Sequence, residues 1–221
     1  MGNGLNTDNW LEDTRTSYDT VADSYADQVR NLLDETPEER AFLALFARLV
    51  RTNGGGPVAD VGCGPGRIAA HLCELGVDAF GIDLSPGMIE VARRDHPGLR
   101  FDLGSMTALN LADRSMAGLV AWYSLIHVPD DEMSSVLTHF RRVLRPGGPL
   151  LLSFHVGDEP ELKTQGYGGH PMKICVHRRR PSQLAAWLND AGFAVETQRT
   201  LASAESRLGG LLLARRRSDV P

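Results

Sequence analysis

The residues that could do chemistry begin at 58–66, which read V-A-D-V-G-C-G-P-G. Gly62, Gly64 and Gly66 alternate with other residues directly after a short apolar run, where a strand gives way to a helix. Without side chains there, a ligand can lie against the backbone. The first N–H groups of the following helix lack internal partners and, with the helix dipole, attract negative charge. Asp83 comes 21 residues after Gly62, in G-I-D-L-S, at the end of the next apolar run. This is the spacing at which a carboxylate accepts hydrogen bonds from ribose hydroxyls. Capping the next helix is the other use for Asp83, but Ser85 already suits that job. These residues fit a ligand with a ribose.

Two common nucleotide loops do not match. A dinucleotide fingerprint is G-x-G-x-x-G, whereas this loop is G-x-G-x-G and Arg67 stands where the third glycine is needed. That disfavours a nucleotide-dependent oxidoreductase. The G-K-[ST] of a phosphate-binding Walker loop is absent. Candidates for moving a proton are His127, after S-L-I, and His155, after L-S-F. Both follow apolar runs, so both belong at the strand ends where open α/β sheets bind ligands. For His127 the competing reading is a structural histidine bonded to nearby backbone. The histidines have no fixed spacing, so no metal is expected.

The elements that must position these residues alternate. Expected strands are 57–61, 78–82, 99–103, 119–123, 150–155, 193–199 and 208–215. Helices are expected at 67–75, 85–94, from Asp130 or Asp131 onward, and at 181–191. Strand–helix alternation with short links means a parallel sheet covered on both faces. The last two strands are joined only by 200–207, too short for a parallel crossover, so the final strand should run antiparallel. Two helices precede the sheet. One places Tyr18, Ala22, Tyr25, Val29 and Leu32 on a single face; the other opens with Thr36, Pro37 and Glu39 as a capping box. Residues 1–35 read as an N-terminal helical lid over a single domain at 36–221. Residues 157–177, without clear period, read as an insertion above the sheet.

Taken together, D-V-G-C-G-P-G, G-I-D-L-S-P-G-M, A-W-Y-S-L-I-H-V, L-R-P-G-G and the late A-G-F resemble the class I S-adenosylmethionine-dependent methyltransferases. The resemblance implies a doubly wound α/β fold with a seven-stranded, mostly parallel sheet whose last strand is reversed. It implies S-adenosylmethionine as cofactor. Gly62, Cys63, Gly64 and Gly66 would line it, and Asp60 would lie near its amino group. Asp83 would hold the ribose. Leu84 and Met88 would pack on the adenine, with Ser105 and Met106 at its edge. Tyr123 would lie beside the methionine portion. Related sequences often carry an acid at Ser105 and an aspartate at Ala117. Ser105 can still hydrogen-bond, as a neutral group.

Tyr25 is expected to touch the cofactor from the lid; Tyr18 and His170 are expected to meet the substrate. The reaction expected is methyl transfer to a small-molecule hydroxyl, of a secondary metabolite or sugar. N-methylation and non-catalytic cofactor binding are the alternatives. The net charge of −5 advertises neither nucleic acid nor an anionic membrane as partner. Arg178–Arg180 and Arg215–Arg217 therefore read as exposed element ends. The three cysteines have no C-x-x-C spacing, no secretory signal opens the chain, and Asn6 breaks the myristoylation pattern begun by Gly2. A cytoplasmic monomer or homodimer is expected.

Overall fold

The structure, a computed structural model, describes residues 9–202 and 208–218. The N-terminal stretch 1–8, with Gly2 and Asn6, and 203–207 of the final link lie outside the described residues. Two helices, α1 (Trp10–Val29) and α2 (Pro37–Thr52), lead into the alternating part. There β1 (Pro57–Val61), α3 (Arg67–Glu74), β2 (Asp78–Asp83), α4 (Pro86–Asp95), β3 (Phe101–Leu103) and β4 (Gly118–Trp122) follow in turn. Then come α5 (Met133–Val143), β5 (Pro149–Val156), β6 (Glu161–Gly166), β7 (His170–Val176), α6 (Pro181–Asp190), β8 (Phe193–Ala202) and β9 (Leu208–Arg216).

Seven strands form one sheet in the order β3-β2-β1-β4-β5-β9-β8. The pairs from β3 to β5 are parallel, and β9 is antiparallel to both its neighbours. Successive residues of a strand face opposite sides, and both sides here are apolar. Ala59, Val61, Leu119 and Leu150 pack with Met133, Leu137 and Phe140 of α5 on one side. Val58, Val120, Trp122 and Leu151 pack with Phe46, Val50 and Ile68 on the other. Near-continuous apolar strands are what a sheet covered on both faces requires.

The expected capping box at Thr36 does not form. The Thr36 hydroxyl makes no capping bond to its helix and donates to the Leu32 carbonyl at 3.0 Å. Glu39 instead accepts the Tyr123 hydroxyl at 2.8 Å. Nor does Asp130 cap α5, whose N-cap is Glu132. Asp130 accepts from Arg179 at 2.8 and 3.0 Å. Arg179 is therefore no exposed end: it is 2% exposed and also donates to the Leu125 carbonyl at 2.9 Å. Arg216 is buried too. The unpatterned 157–177 contains a separate antiparallel hairpin, β6–β7, with a register shift between Lys163 and Gln165. Helix α1 starts well before the expected Tyr18 and ties to this hairpin: the Lys173 N–H donates to Ser17 Oγ at 2.8 Å, and Lys173 pairs with Asp13 at 2.7 Å.

Candidate active site

Strands β1, β2 and β4 end side by side, and a cleft opens over their ends beneath α1, where open α/β sheets bind ligands. The glycine loop follows β1. Gly62 has φ +76, and a Cβ there would overlap Ser124, whose hydroxyl donates to the Val61 carbonyl at 2.7 Å. Gly64 lies under the Tyr25 ring; its N–H donates to Asp83 Oδ2 at 2.8 Å. Asp83 Oδ1 accepts the Ser85 N–H at 2.9 Å. The two bonds fix the carboxylate at the cleft wall. Burial, the largest influence, still raises its pKa.

Asp60, Gly62, Cys63, Gly64, Asp83, Leu84, Met88, Ser105, Met106, Tyr123, Tyr25 and Tyr18 all line this cleft. Gly66 does not. It turns the chain into α3 at φ +84, and an added Cβ would sit 2.6 Å from Phe101. It serves close packing of loop on strand. Ser105 accepts the Thr107 N–H at 3.2 Å and so shapes the short turn 106–108. Tyr123, just past β4, holds φ +50, uncommon for a non-glycine residue. Its N–H donates to Ser153 Oγ at 2.9 Å, and its ring leans on His155 with 5.0 Å between centroids.

Asp60 is the most unusual group. It is fully buried, and its carboxylate oxygens meet no partner at full hydrogen-bond geometry, although the Ala69 N–H and the Arg67 guanidinium lie near enough to favour its charge. Burial pushes its pKa up to about 7, against the pull of Arg67. A buried carboxylate of this kind is costly until a cation or donor reaches it. An α-ammonium meets that need, and the bare loop and Asp83 suit the adenosyl part. The residues present fit S-adenosylmethionine.

His127 lines the cleft with both ring nitrogens engaged. Nδ1 lies 2.9 Å from the Cys175 carbonyl, which can only accept, so Nδ1 carries the proton. Nε2 then accepts the Tyr18 hydroxyl at 2.8 Å. Burial, first, and nearby cationic groups lower its pKa to about 4, so it is neutral at physiological pH. His155 is not among the cleft-lining residues, and His170 is exposed at the start of β7. The hairpin residue nearest the aromatic cluster is Tyr167, edge-on to Tyr25 at 4.8 Å. Sequence reasoning missed Trp10, Leu11 and Thr14, which line the cleft from the first turns of α1. Trp10, Thr14 and Tyr18 fall at i, i+4 and i+8, a helical face legible in the sequence. It also missed Arg67 and Trp122 as lining residues.

Residues 58–148 match the methyltransferase-domain family. A ubiquinone biosynthesis O-methyltransferase of Xanthomonas axonopodis pv. citri is 31% identical, over 64% of each chain. The chain spans just under two thirds of the length of the curated relatives it matches. Among solved structures, Burkholderia thailandensis 1,6-didemethyltoxoflavin-N1-methyltransferase, with bound S-adenosylhomocysteine, overlays with TM-score 0.73 at 20% identity, covering 99% of this chain and 93% of that one. Magnesium protoporphyrin IX methyltransferase of Synechocystis PCC 6803 overlays with TM-score 0.69 at 17% identity, covering 99% and 100%. Residues 58–148, which open on the glycine loop, thus carry a methyltransferase domain, and the sheet order around them is the fold of these solved methyltransferases.

Proposed function

We propose that the chain transfers a methyl group from S-adenosylmethionine to a hydroxyl of a small, ring-bearing acceptor. Asp60 carries this reading: a buried carboxylate with neither oxygen in a full hydrogen bond, in one cleft with the bare glycine loop and Asp83. Asp60 takes the cofactor's ammonium and Asp83 its ribose hydroxyls. Leu84 and Met88 form the apolar bed of the adenine, with Ser105 and Met106 at its edge. The bound sulfonium supplies an electrophilic methyl group. The chain's own work is to hold the acceptor in line and exclude water. Trp10, Tyr18 and Tyr25 offer flat walls for that, on a helix that roofs the cleft. The relative named as a ubiquinone biosynthesis O-methyltransferase supports a hydroxylated ring.

A hydroxyl acceptor must lose its proton. The route open to it runs through Tyr18: the acceptor proton passes to Tyr18 Oη as the Tyr18 proton moves to His127 Nε2. With a pKa near 4, His127 is a weak base. The transfer must therefore come late, when the forming C–O bond has made the proton strongly acidic. His127→Gln is expected to lower kcat about tenfold, below the usual range for general bases, with cofactor affinity unchanged. An unaltered kcat on a hydroxyl acceptor would remove the relay. N-methylation is the second reading, favoured by the same observation. An amine acceptor already holding a free lone pair needs no base, and both nitrogens of His127 are engaged.

Thermal unfolding with S-adenosylhomocysteine, and methyl transfer from labelled S-adenosylmethionine to catechols, hydroxybenzoates and their amine analogues, test the assignment. A higher Tm and an O-methylated product are expected. No stabilisation by either cofactor form overturns it. Stabilisation with no product from any acceptor favours a non-catalytic binding protein.

A further inference from the structure

We infer that Glu39 of α2 is a positioning residue: through the Tyr123 hydroxyl it holds Tyr123 in the strained conformation in which the cleft binds its cofactor. The inference rests on the cofactor reading above. It adds a side chain that neither lines the cleft nor lies within the domain at 58–148. Tyr123 lines the cleft at φ +50. A non-glycine residue in the left-handed region stores strain, and that strain persists only where the surroundings over-determine it.

The surroundings do so here. Tyr123 follows β4 directly and precedes Ser124, the residue that a Cβ on Gly62 would overlap. Its N–H donates to Ser153 Oγ at 2.9 Å, which ties its backbone to β5. Its hydroxyl donates to Glu39 Oε1 at 2.8 Å, across 84 positions of sequence. A phenol donating to a carboxylate makes a stronger bond than two neutral groups make, and Glu39 is only 6% exposed, so water competes little. The other oxygen of Glu39 lies 3.2 Å from the Thr36 hydroxyl. Gly209 of β9 leaves the room for this bond: a Cβ there would come 2.8 Å from the Tyr123 oxygen. Burial first, and then Glu39, raise the pKa of Tyr123, so the phenol keeps its proton and takes no part in proton transfer. The hydroxyl is committed to Glu39, and what Tyr123 gives the cleft is its ring. Ser153 anchors the backbone and Glu39 anchors the ring. Without Glu39 the residue can fall back to an unstrained φ. A ligand must then restore the strained state, and its apparent Kd rises by the inverse of the fraction that still holds it.

Isothermal titration with S-adenosylhomocysteine, beside thermal melts, tests this. Glu39→Ala and Tyr123→Phe should each raise Kd about tenfold, which corresponds to a competent fraction of about one tenth. The double variant should lose no more than either single one, because both remove the same bond. Glu39→Gln, whose amide oxygen still accepts the phenol, should recover most of the affinity. Tyr123→Phe removes a single oxygen atom and carries the test where Glu39→Ala fails to fold. Single variants that melt lower yet bind as wild type make the pair a structural tie and overturn the inference. Losses that multiply in the double variant overturn it too, because Glu39 then acts without Tyr123. A folded wild type that does not bind S-adenosylhomocysteine sinks the cofactor reading itself, and the inference with it.

Discussion

Replacing Gly62 by alanine is expected to abolish detectable cofactor binding and to lower Tm by roughly 10 °C. Two costs combine. At φ +76 a Cβ meets the steric penalty of the left-handed region, about 1–2 kcal/mol. The new atom would also overlap Ser124, whose hydroxyl is tied to the Val61 carbonyl at 2.7 Å. Ser124 opens the turn that carries His127, and Arg179 pins that turn through the Leu125 carbonyl at 2.9 Å. It cannot retreat without moving the whole cleft wall. A total of about 3 kcal/mol or more follows, and in a domain of this size each kcal/mol moves Tm by about 2–4 °C. Gly98→Ala is the control: its Cβ would meet nothing within 4 Å, and it lies outside the cleft. Thermal melts with and without S-adenosylhomocysteine read both effects. A Gly62→Ala protein that melts and binds like the Gly98→Ala control would mean that the loop is not the close-approach surface described here.

The parts of this arrangement that are local in sequence were legible beforehand. The loop after β1, Asp83 at the end of β2 and the reversed final strand all follow from spacing, apolar runs and link length. The parts that depend on distant contacts were not. Glu39 sits where a capping box would use it, yet its partner is Tyr123, 84 positions away. Arg179 sits in a run of three arginines that reads as a solvated end. Asp130 and two carbonyls satisfy it, and burial becomes tolerable for it. The β6–β7 hairpin escaped because its register shift breaks strand alternation and because Leu162 faces outward where alternation would call for a polar residue. The extra turns of α1 escaped because Asn9 makes no side-chain cap to announce them. Gly66 shows the converse: it stands in the glycine motif, yet a Cβ there would meet Phe101 and the residue does not line the cleft.

Asp60→Asn is expected to stabilise the ligand-free protein and to cripple cofactor binding. The folded-state pKa of Asp60 stands at about 7, above its ordinary 3.8, chiefly because burial disfavours the charge. Between those values the folded state binds a proton that the unfolded state has lost. The contribution of Asp60 to stability is therefore greatest below pH 4 and declines as pH rises towards 7. At pH 8 the wild-type carboxylate is ionised, buried and without a full hydrogen bond, a burden that asparagine lacks. The ligand-free variant should melt several degrees higher at pH 8, and the gain should shrink well below that value at pH 5 and vanish below pH 4, where both states hold the proton. Binding moves the other way. Losing the buried partner of an ammonium costs about 2–5 kcal/mol, so the Kd for S-adenosylhomocysteine should rise by roughly 10²–10³-fold. Wild-type affinity should itself weaken about tenfold per pH unit below 7, because Asp60 must shed its proton before it can face the cation. Calorimetric melts and titrations at pH 5 and pH 8 give all four quantities. A variant that binds as wild type at pH 8 would show that the ammonium lies elsewhere. An unchanged ligand-free Tm at that pH would show that the buried charge is already compensated.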